Sequence, residues 1–275
     1  MLGKCLKKDY SVSETYFEGI AMTKSRLLKT LLTVLILAAL GCGGYYLYSF
    51  YVYTHADIRK AALNGSSKQL EAIIGHGGDV NAVDEQGRPV LFLAMSAPEN
   101  RENILLLINN GADTNKLYNQ VSPLTMALAT LDDAEIIKAL LAKGSNVNYY
   151  GLGGNTPLML AAGHQTDPKV IRELLDYGAK INAVNDDGQT ALMFAAVNNP
   201  NPEVLKTLLE AGAAVNLEDQ KGNTAFILAS LKLRDNRYLD LLSEYGADIY
   251  HKNREGKDAL MLVEEVSKEI DTLSE

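Results

Sequence analysis

The sequence predicts an all-α solenoid of helix-turn-helix units, and three observations predict it. A short motif opening on glycine occurs six times, its glycines 34, 33, 34, 34 and 34 residues apart. Ahead of each glycine stands an apolar pattern with helical period, such as Val170-Ile171-Arg172-Glu173-Leu174-Leu175 or Val204-Leu205-Lys206-Thr207-Leu208-Leu209. Behind each stands a turn and a second motif that caps and opens another apolar helix. A period in the range of about 20–50 residues marks units that cannot bury their apolar faces alone and so stack on one another.

The first motif reads Gly77-Gly78-Asp79-Val80-Asn81, then Gly111-Ala112-Asp113-Thr114-Asn115 and Gly144-Ser145-Asn146-Val147-Asn148. It continues as Gly178-Ala179-Lys180-Ile181-Asn182, Gly212-Ala213-Ala214-Val215-Asn216 and Gly246-Ala247-Asp248-Ile249-Tyr250. The second motif is clearest in Gly154-Asn155-Thr156-Pro157-Leu158-Met159-Leu160-Ala161-Ala162 and in Gly188-Gln189-Thr190-Ala191-Leu192-Met193-Phe194-Ala195-Ala196. Thr156 and Thr190 are placed to cap a helix, and Pro157 in its first turn loses no hydrogen bond. The paired alanines let neighbouring helices approach, and the glycine after the second helix accepts the left-handed conformation that ends it.

These motifs resemble the ankyrin repeat family over about residues 55–270. On this resemblance the solenoid domain runs from 55 to 275, with units at about 55–81, 82–115, 116–148, 149–182, 183–216, 217–250 and 251–275. The family usually has His after the Leu of a Thr-Pro-Leu-His motif. That position here holds Phe92, Thr125, Met159, Met193, Ile227 and Met261. With the histidine bonds missing, cohesion between repeats is expected to lean on apolar packing. The loop between the helices is a residue longer than usual, as in Gly163-His164-Gln165-Thr166-Asp167-Pro168 and Asn198-Asn199-Pro200-Asn201-Pro202. Glu264, Glu265, Lys268 and Glu269 are expected to give the last helix the polar outer face a terminal unit needs.

Ahead of the repeats, residues 1–29 form a basic segment and residues 30–54, from Thr30 to Thr54, contain no charged side chain. At about 1.5 Å per helical residue this run is long enough to cross a hydrocarbon core of about 30 Å. Lys24, Arg26 and Lys29 on one flank and Tyr45, Tyr46, Tyr48, Tyr51 and Tyr53 on the other suit a single-pass anchor. Its N-terminus would be cytoplasmic, with the repeats on the periplasmic side of a bacterial inner membrane. An alternative begins at Met22 and reads Met22 to Cys42 as a lipoprotein signal with lipidation on Cys42; its topology is the same. A buried helix of a soluble fold is the third reading, and an internal start would give a cytosolic form.

Charge and cysteine usage remove whole classes of function. The net charge is −8, with residues 1–54 at +3 and residues 55–275 at −11, so the solenoid is a poor partner for a phosphate backbone and nucleic-acid binding is not expected. The only cysteines, Cys5 and Cys42, precede the repeats, which excludes disulfides and thiolate metal sites within them. The histidines, His55, His76, His164 and His251, fall at unrelated phases without ligand spacing. No nucleophile elbow, phosphate loop or dinucleotide fingerprint occurs, and Gly151-Leu152-Gly153-Gly154 lacks the strand and lysine of a phosphate loop. The chain is expected to be no enzyme and to need neither cofactor nor metal.

What remains is surface. The turn tips carry Asp84 and Glu85, then Tyr118, then Tyr149, Tyr150 and Leu152, then Asp186 and Asp187, then Glu218 and Asp219. An aromatic patch framed by charge has the composition of a protein-binding hot spot inside a polar rim. The family resemblance implies that one protein partner is gripped along these tips, and the acidic rim suits a partner with a basic patch. Envelope-bound bacterial members of this kind include proteins that protect their owner from its own secreted enzymes. The expectation is a cognate immunity protein that inhibits a toxic effector enzyme, such as a type VI-secreted lipase or hydrolase. The alternative is a periplasmic scaffold or stress-protection factor that holds an antioxidant enzyme. A solenoid with polar ends is expected to be a monomer.

Overall fold

The computed structural model describes residues 57–231 and 236–274. The charge-free run 30–54 and Cys42 lie outside the described residues. Among the described residues, no helix is long and apolar enough to cross a membrane.

The described helices form a compact unit, Asp57–Gly75 with Asp79–Glu275, an all-helical solenoid with no strand among its described residues. Its described helices come in pairs: α1 (Ile58–Asn64) with α2 (Ser67–Gly75), α3 (Val90–Met95) with α4 (Arg101–Asn109), and α5 (Pro123–Thr130) with α6 (Ala134–Ala142). They continue as α7 (Pro157–His164) with α8 (Pro168–Asp176), α9 (Ala191–Asn198) with α10 (Pro202–Glu210), and α11 (Ala225–Leu231) with α12 (Asn236–Glu244), before the closing helix α13 (Ala259–Ser274). First helices stack on first helices and second on second, so each repeat packs against its chain neighbours.

Each boundary has a local cause. Ser122 accepts from the Thr125 amide while Thr125 Oγ1 accepts from the Ser122 amide, which satisfies two amides that a helix start leaves unpaired. Thr156, Thr190 and Thr224 accept from the amides of Met159, Met193 and Ile227. Among the second helices, Asp133, Asp167 and Asn201 cap α6, α8 and α10. The second helices end in a shared way. Gly111, Gly144, Gly178, Gly212 and Gly246 have φ between 84° and 91°, and the next amide reaches back to the helix, as Ala179 N–H does to Leu174 O at 2.9 Å.

The core is a continuous apolar seam. Ile104, Leu107, Ile108, Leu124, Leu128, Ile136, Ile137 and Leu140 are fully buried between layers, and Ala161, Ala162 and Ala195 let the first helices approach closely. Phe92, Met159, Met193 and Ile227 are buried where the family has histidine, and Thr125 at that position joins the capping box. Met261, the last in this series, is exposed beside Leu260. The closing helix therefore mixes exposed Glu264, Glu265 and Lys268 with an apolar stretch, and is less polar than its sequence suggested.

Cohesion between repeats leans on this apolar seam, and side-chain hydrogen bonds add to it. Asparagine side chains bridge one repeat to the next: Asn115 Oδ1 accepts from Asn146 N–H at 2.8 Å while its Nδ2 donates to Gly144 O at 2.9 Å. Asn81, Asn148 and Asn216 do the same, and Asn182 accepts from Ala214 N–H. On the loop side, the buried amides of Asn103, Gln165 and Asn199 donate to carbonyls of the preceding unit. The longer inter-helix loop supplies Gln165 and Asn199, and His164, expected in that loop, is the last residue of α7.

Two outcomes follow from these contacts. Gln165 is 1% exposed and donates to Leu128 O at 2.8 Å and Leu131 O at 2.9 Å. Gln165→Leu strands both carbonyls and lowers stability by about 2–4 kcal/mol, read as the shift in the urea midpoint followed by circular dichroism. Arg101 forms ion pairs with Asp133 and Glu135 across two repeats. Burial opposes ionisation of Asp133, but the Arg101 bond and the amides of Ile136 and Glu135 outweigh it and hold the carboxyl below its ordinary value. Because its pKa is depressed in the folded state, the unfolded chain binds more protons as pH falls below about 4. The stability this group provides is present above that range and lost through it, and Asp133→Asn flattens that part of the urea-midpoint profile.

Candidate protein-binding surface

The turns between repeats project as fingers, and four of them are built on a short polar side chain that folds its own backbone. Asp84, Asn185, Asp219 and Asn253 occupy one phase of the repeat, and each accepts from the amides two and four residues on. Gly87, Gly188, Gly222 and Gly256 follow in the left-handed region. At two of these the neighbouring finger comes very near. A Cβ on Gly188 would lie 3.0 Å from Gln220 N, and one on Gly222 would lie 2.8 Å from Arg254 N.

That proximity lets finger backbones bond in series. Asp186 N–H donates to Gly153 O at 3.1 Å, Gln220 N–H to Asp187 O at 2.8 Å, and Arg254 N–H to Lys221 O at 3.0 Å. The finger at Tyr118 is built differently. Tyr118 and Val121 exchange both backbone bonds at 3.0 Å around Asn119 (φ 50°) and Gln120 (φ 61°), a two-residue hairpin turn with both central residues left-handed. Tyr149 Oη donates to Gln120 O at 3.0 Å, and the Tyr118 ring meets Phe92 edge-on with centroids 5.8 Å apart.

The expected site residues thus divide by role. Tyr150 and Leu152 are open to solvent at 50% and 59%, and Glu85, Asp186, Asp187 and Glu218 are exposed on other fingers. Tyr118 and Tyr149 are half-buried, packed or hydrogen-bonded onto neighbouring residues. Asp84 is half-buried and bonded to Arg88; burial opposes its ionisation, but the Arg88 amide and guanidinium hold its carboxyl below the ordinary value. Asp219, expected at an open tip, is 6% exposed and accepts from Lys221 and Asn223 within its own finger. It shapes the finger instead of facing a partner.

Val83 and Val184, which composition does not mark as site residues, and the tip residue Leu117 are exposed apolar side chains two residues after Asn81, Asn182 and Asn115. Tyr150 holds the same phase after Asn148. Aligning the repeats on their asparagines would have found this row, which ends at Glu218 and Lys252 in the next two units. Among the described residues, no group of three or more His, Cys, Asp or Glu side chains is placed to hold a metal ion. Depressions of about 270 and 250 Å³ at the first repeats bring together ion-paired and capping side chains, with no nucleophile beside a base.

Gln120 holds a left-handed conformation that disfavours a Cβ, so Gln120→Gly raises stability by about 1 kcal/mol, measured as a higher urea midpoint. Asn119 adopts that region more readily, and the same change there gives a smaller gain.

A family model for ankyrin repeats in three copies matches residues 58–150, 97–185, 124–219 and 158–253. Among solved structures, the human ASB11 ankyrin repeat domain is similar at 25% identity and a TM-score of 0.64, covering 76% of this chain and 91% of that one. A comparison with curated protein sequences returns no match. Capped helix pairs, left-handed glycine ends and bonded fingers recur in step with the matched residues, and the chain belongs to the ankyrin repeat family.

Proposed function

We propose that this ankyrin module is held at a bacterial inner membrane by residues 30–54, faces the periplasm, and binds and inhibits one toxic enzyme as its cognate immunity protein. Ankyrin repeats are protein-binding modules, and the reading adds to that a place and a partner. The observation that carries it is the finger surface. Tyr150 and Leu152 stand exposed, and Glu85, Asp186, Asp187 and Glu218 are exposed on other fingers, while Asp84 and Asp219 are engaged in folding theirs.

An exposed aromatic and an exposed leucine inside an acidic rim suit a partner with apolar anchors and a basic patch. The charge of −11 over residues 55–275 would speed capture of such an enzyme at low salt. Supporting the location is the charge-free run 30–54 behind Lys24, Arg26 and Lys29. An inhibitor kept where a secreted lipase or wall hydrolase acts needs no chemistry of its own, only a surface that occludes the enzyme.

The test uses the full-length chain in its native membranes. Protease applied from the periplasmic side of spheroplasts removes the repeats if the topology is right and leaves them intact if it is wrong. The partner enriched with the wild-type chain is then assayed for activity with and without the repeats. Tyr150→Ala combined with Leu152→Ala weakens its capture by about 2 kcal/mol, roughly 30-fold in Kd, with helicity unchanged. A captured enzyme whose activity is the same when bound would end the inhibitor reading.

A further inference from the structure

The row of exposed apolar side chains at one phase of the repeat has a geometry that selects its ligand. Val83, Leu117, Tyr150 and Val184 are 43%, 44%, 50% and 48% exposed, nearly the same at four successive units. Equivalent positions of a solenoid follow one another along its gently curved stack, each about one layer of packed helices from the next, roughly 8–10 Å. The next two positions in the row are Glu218 and Lys252, so the line is four sites long.

A bound chain must repeat at the same interval to reach all four. A β-strand brings a side chain back to one face every two residues, about 6.7 Å, and falls out of step at the second site. A polyproline II helix has three residues per turn and a rise of about 3.1 Å each, which returns a side chain to one face every 9.3 Å or so. An α-helix returns after seven residues, about 10.5 Å, but its apolar face carries two or three side chains in that interval where the row offers one site. The polyproline II form matches one side chain to one site with none left over.

Charge sets the residues between. The fingers along the row carry exposed Glu85, Asp186 and Asp187, with Glu218 at its end. Of the cations on the same fingers, Arg88 is paired with Asp84, while Lys116 and, beside Glu218, Lys221 are exposed. The surroundings are therefore predominantly acidic, and basic side chains on the outer edges of the ligand would face carboxylates. Resting on the protein-binding reading above, we propose that this row receives an extended polyproline II segment of a partner protein, about ten residues long, with an apolar side chain at every third position and basic residues between.

The probe is a fluorescein-labelled peptide of sequence Leu-Pro-Lys repeated three times and closed by Leu, titrated by anisotropy against the full-length chain in detergent micelles. It is compared with a scrambled peptide of the same composition lacking the three-residue period, and with a helical peptide carrying Leu at every seventh residue and the same charge. The phased peptide is expected to bind at least tenfold more tightly than either. Leu117→Ser with Val184→Ser, both at exposed positions and checked for unchanged helicity, should reduce its affinity at least tenfold. Equal binding of the scrambled peptide, tighter binding of the helical one, or indifference to the two substitutions overturns the proposal. Should the phased peptide fail while partner capture still depends on Tyr150 and Leu152, the polyproline reading falls and the protein-binding reading stands. Loss of both would remove the finger surface altogether.

Discussion

Everything the surface does depends on how one repeat is held to the next, and that is set by side chains that satisfy the backbone of their neighbour. Asn81, Asn115, Asn148 and Asn216 each accept one amide and donate to one carbonyl of the following unit. Those amides and carbonyls belong to the turns after the second helices, which a helix end leaves unpaired. A side chain of fixed length bonded at both ends holds the interval between layers constant, and the apolar seam fills the space so defined. Apolar contact alone would supply cohesion but tolerate sliding, since it has no directional preference.

A constant interval turns small features into extended ones. One exposed apolar residue on a soluble protein means nothing by itself. Four at the same phase of a bonded stack become a ruled line, because each is carried by a finger whose position is set by the unit beneath it. The fingers of Val83 and Val184 are stiff for a second reason, since Asp84 and Asn185 at their bases each accept two amides and fix the turn. A surface that is ordered before it meets a partner loses little conformational entropy on binding, which is how a modest contact area can hold a ligand tightly.

The architecture was legible in the sequence because its signals are periodic. Gly144, Gly178 and Gly212 mark the ends of second helices through a conformation that glycine alone adopts freely, and Thr156 and Thr190 mark the starts of first helices. The surface was legible only in part. Asp219 and Asp187 look alike as charges on a turn, yet one is buried as the acceptor for its own finger and the other is open. The difference lies in position relative to the left-handed glycine: Asp219 precedes Gly222 by three residues, whereas Asp187 is adjacent to Gly188. The buried amides of Gln165 and Asn199 were hidden for another reason. A polar residue in a loop is expected in solvent, and only the stacked structure brings unpaired carbonyls of the previous unit within its reach.

The lacing of the fingers is uneven, and this bears on what the row can accept. From Gly153 to Arg254 the tips are bonded backbone to backbone, so their spacing follows from main-chain geometry. The finger at Tyr118 is joined to the next by one side chain, the Tyr149 hydroxyl on Gln120 O, and has a turn that carries two left-handed residues without glycine. A side-chain bond of this exposed kind contributes about 1 kcal/mol, and rotation about the tyrosine side chain can release it. Val184 thus rides on a finger laced through its backbone, while Leu117 rides on one that can shift by a rotamer change. A ligand in step with the repeat would lock onto the firm end first and draw the looser finger into line, which favours an occupant whose own period is built in over one that must adapt at every site.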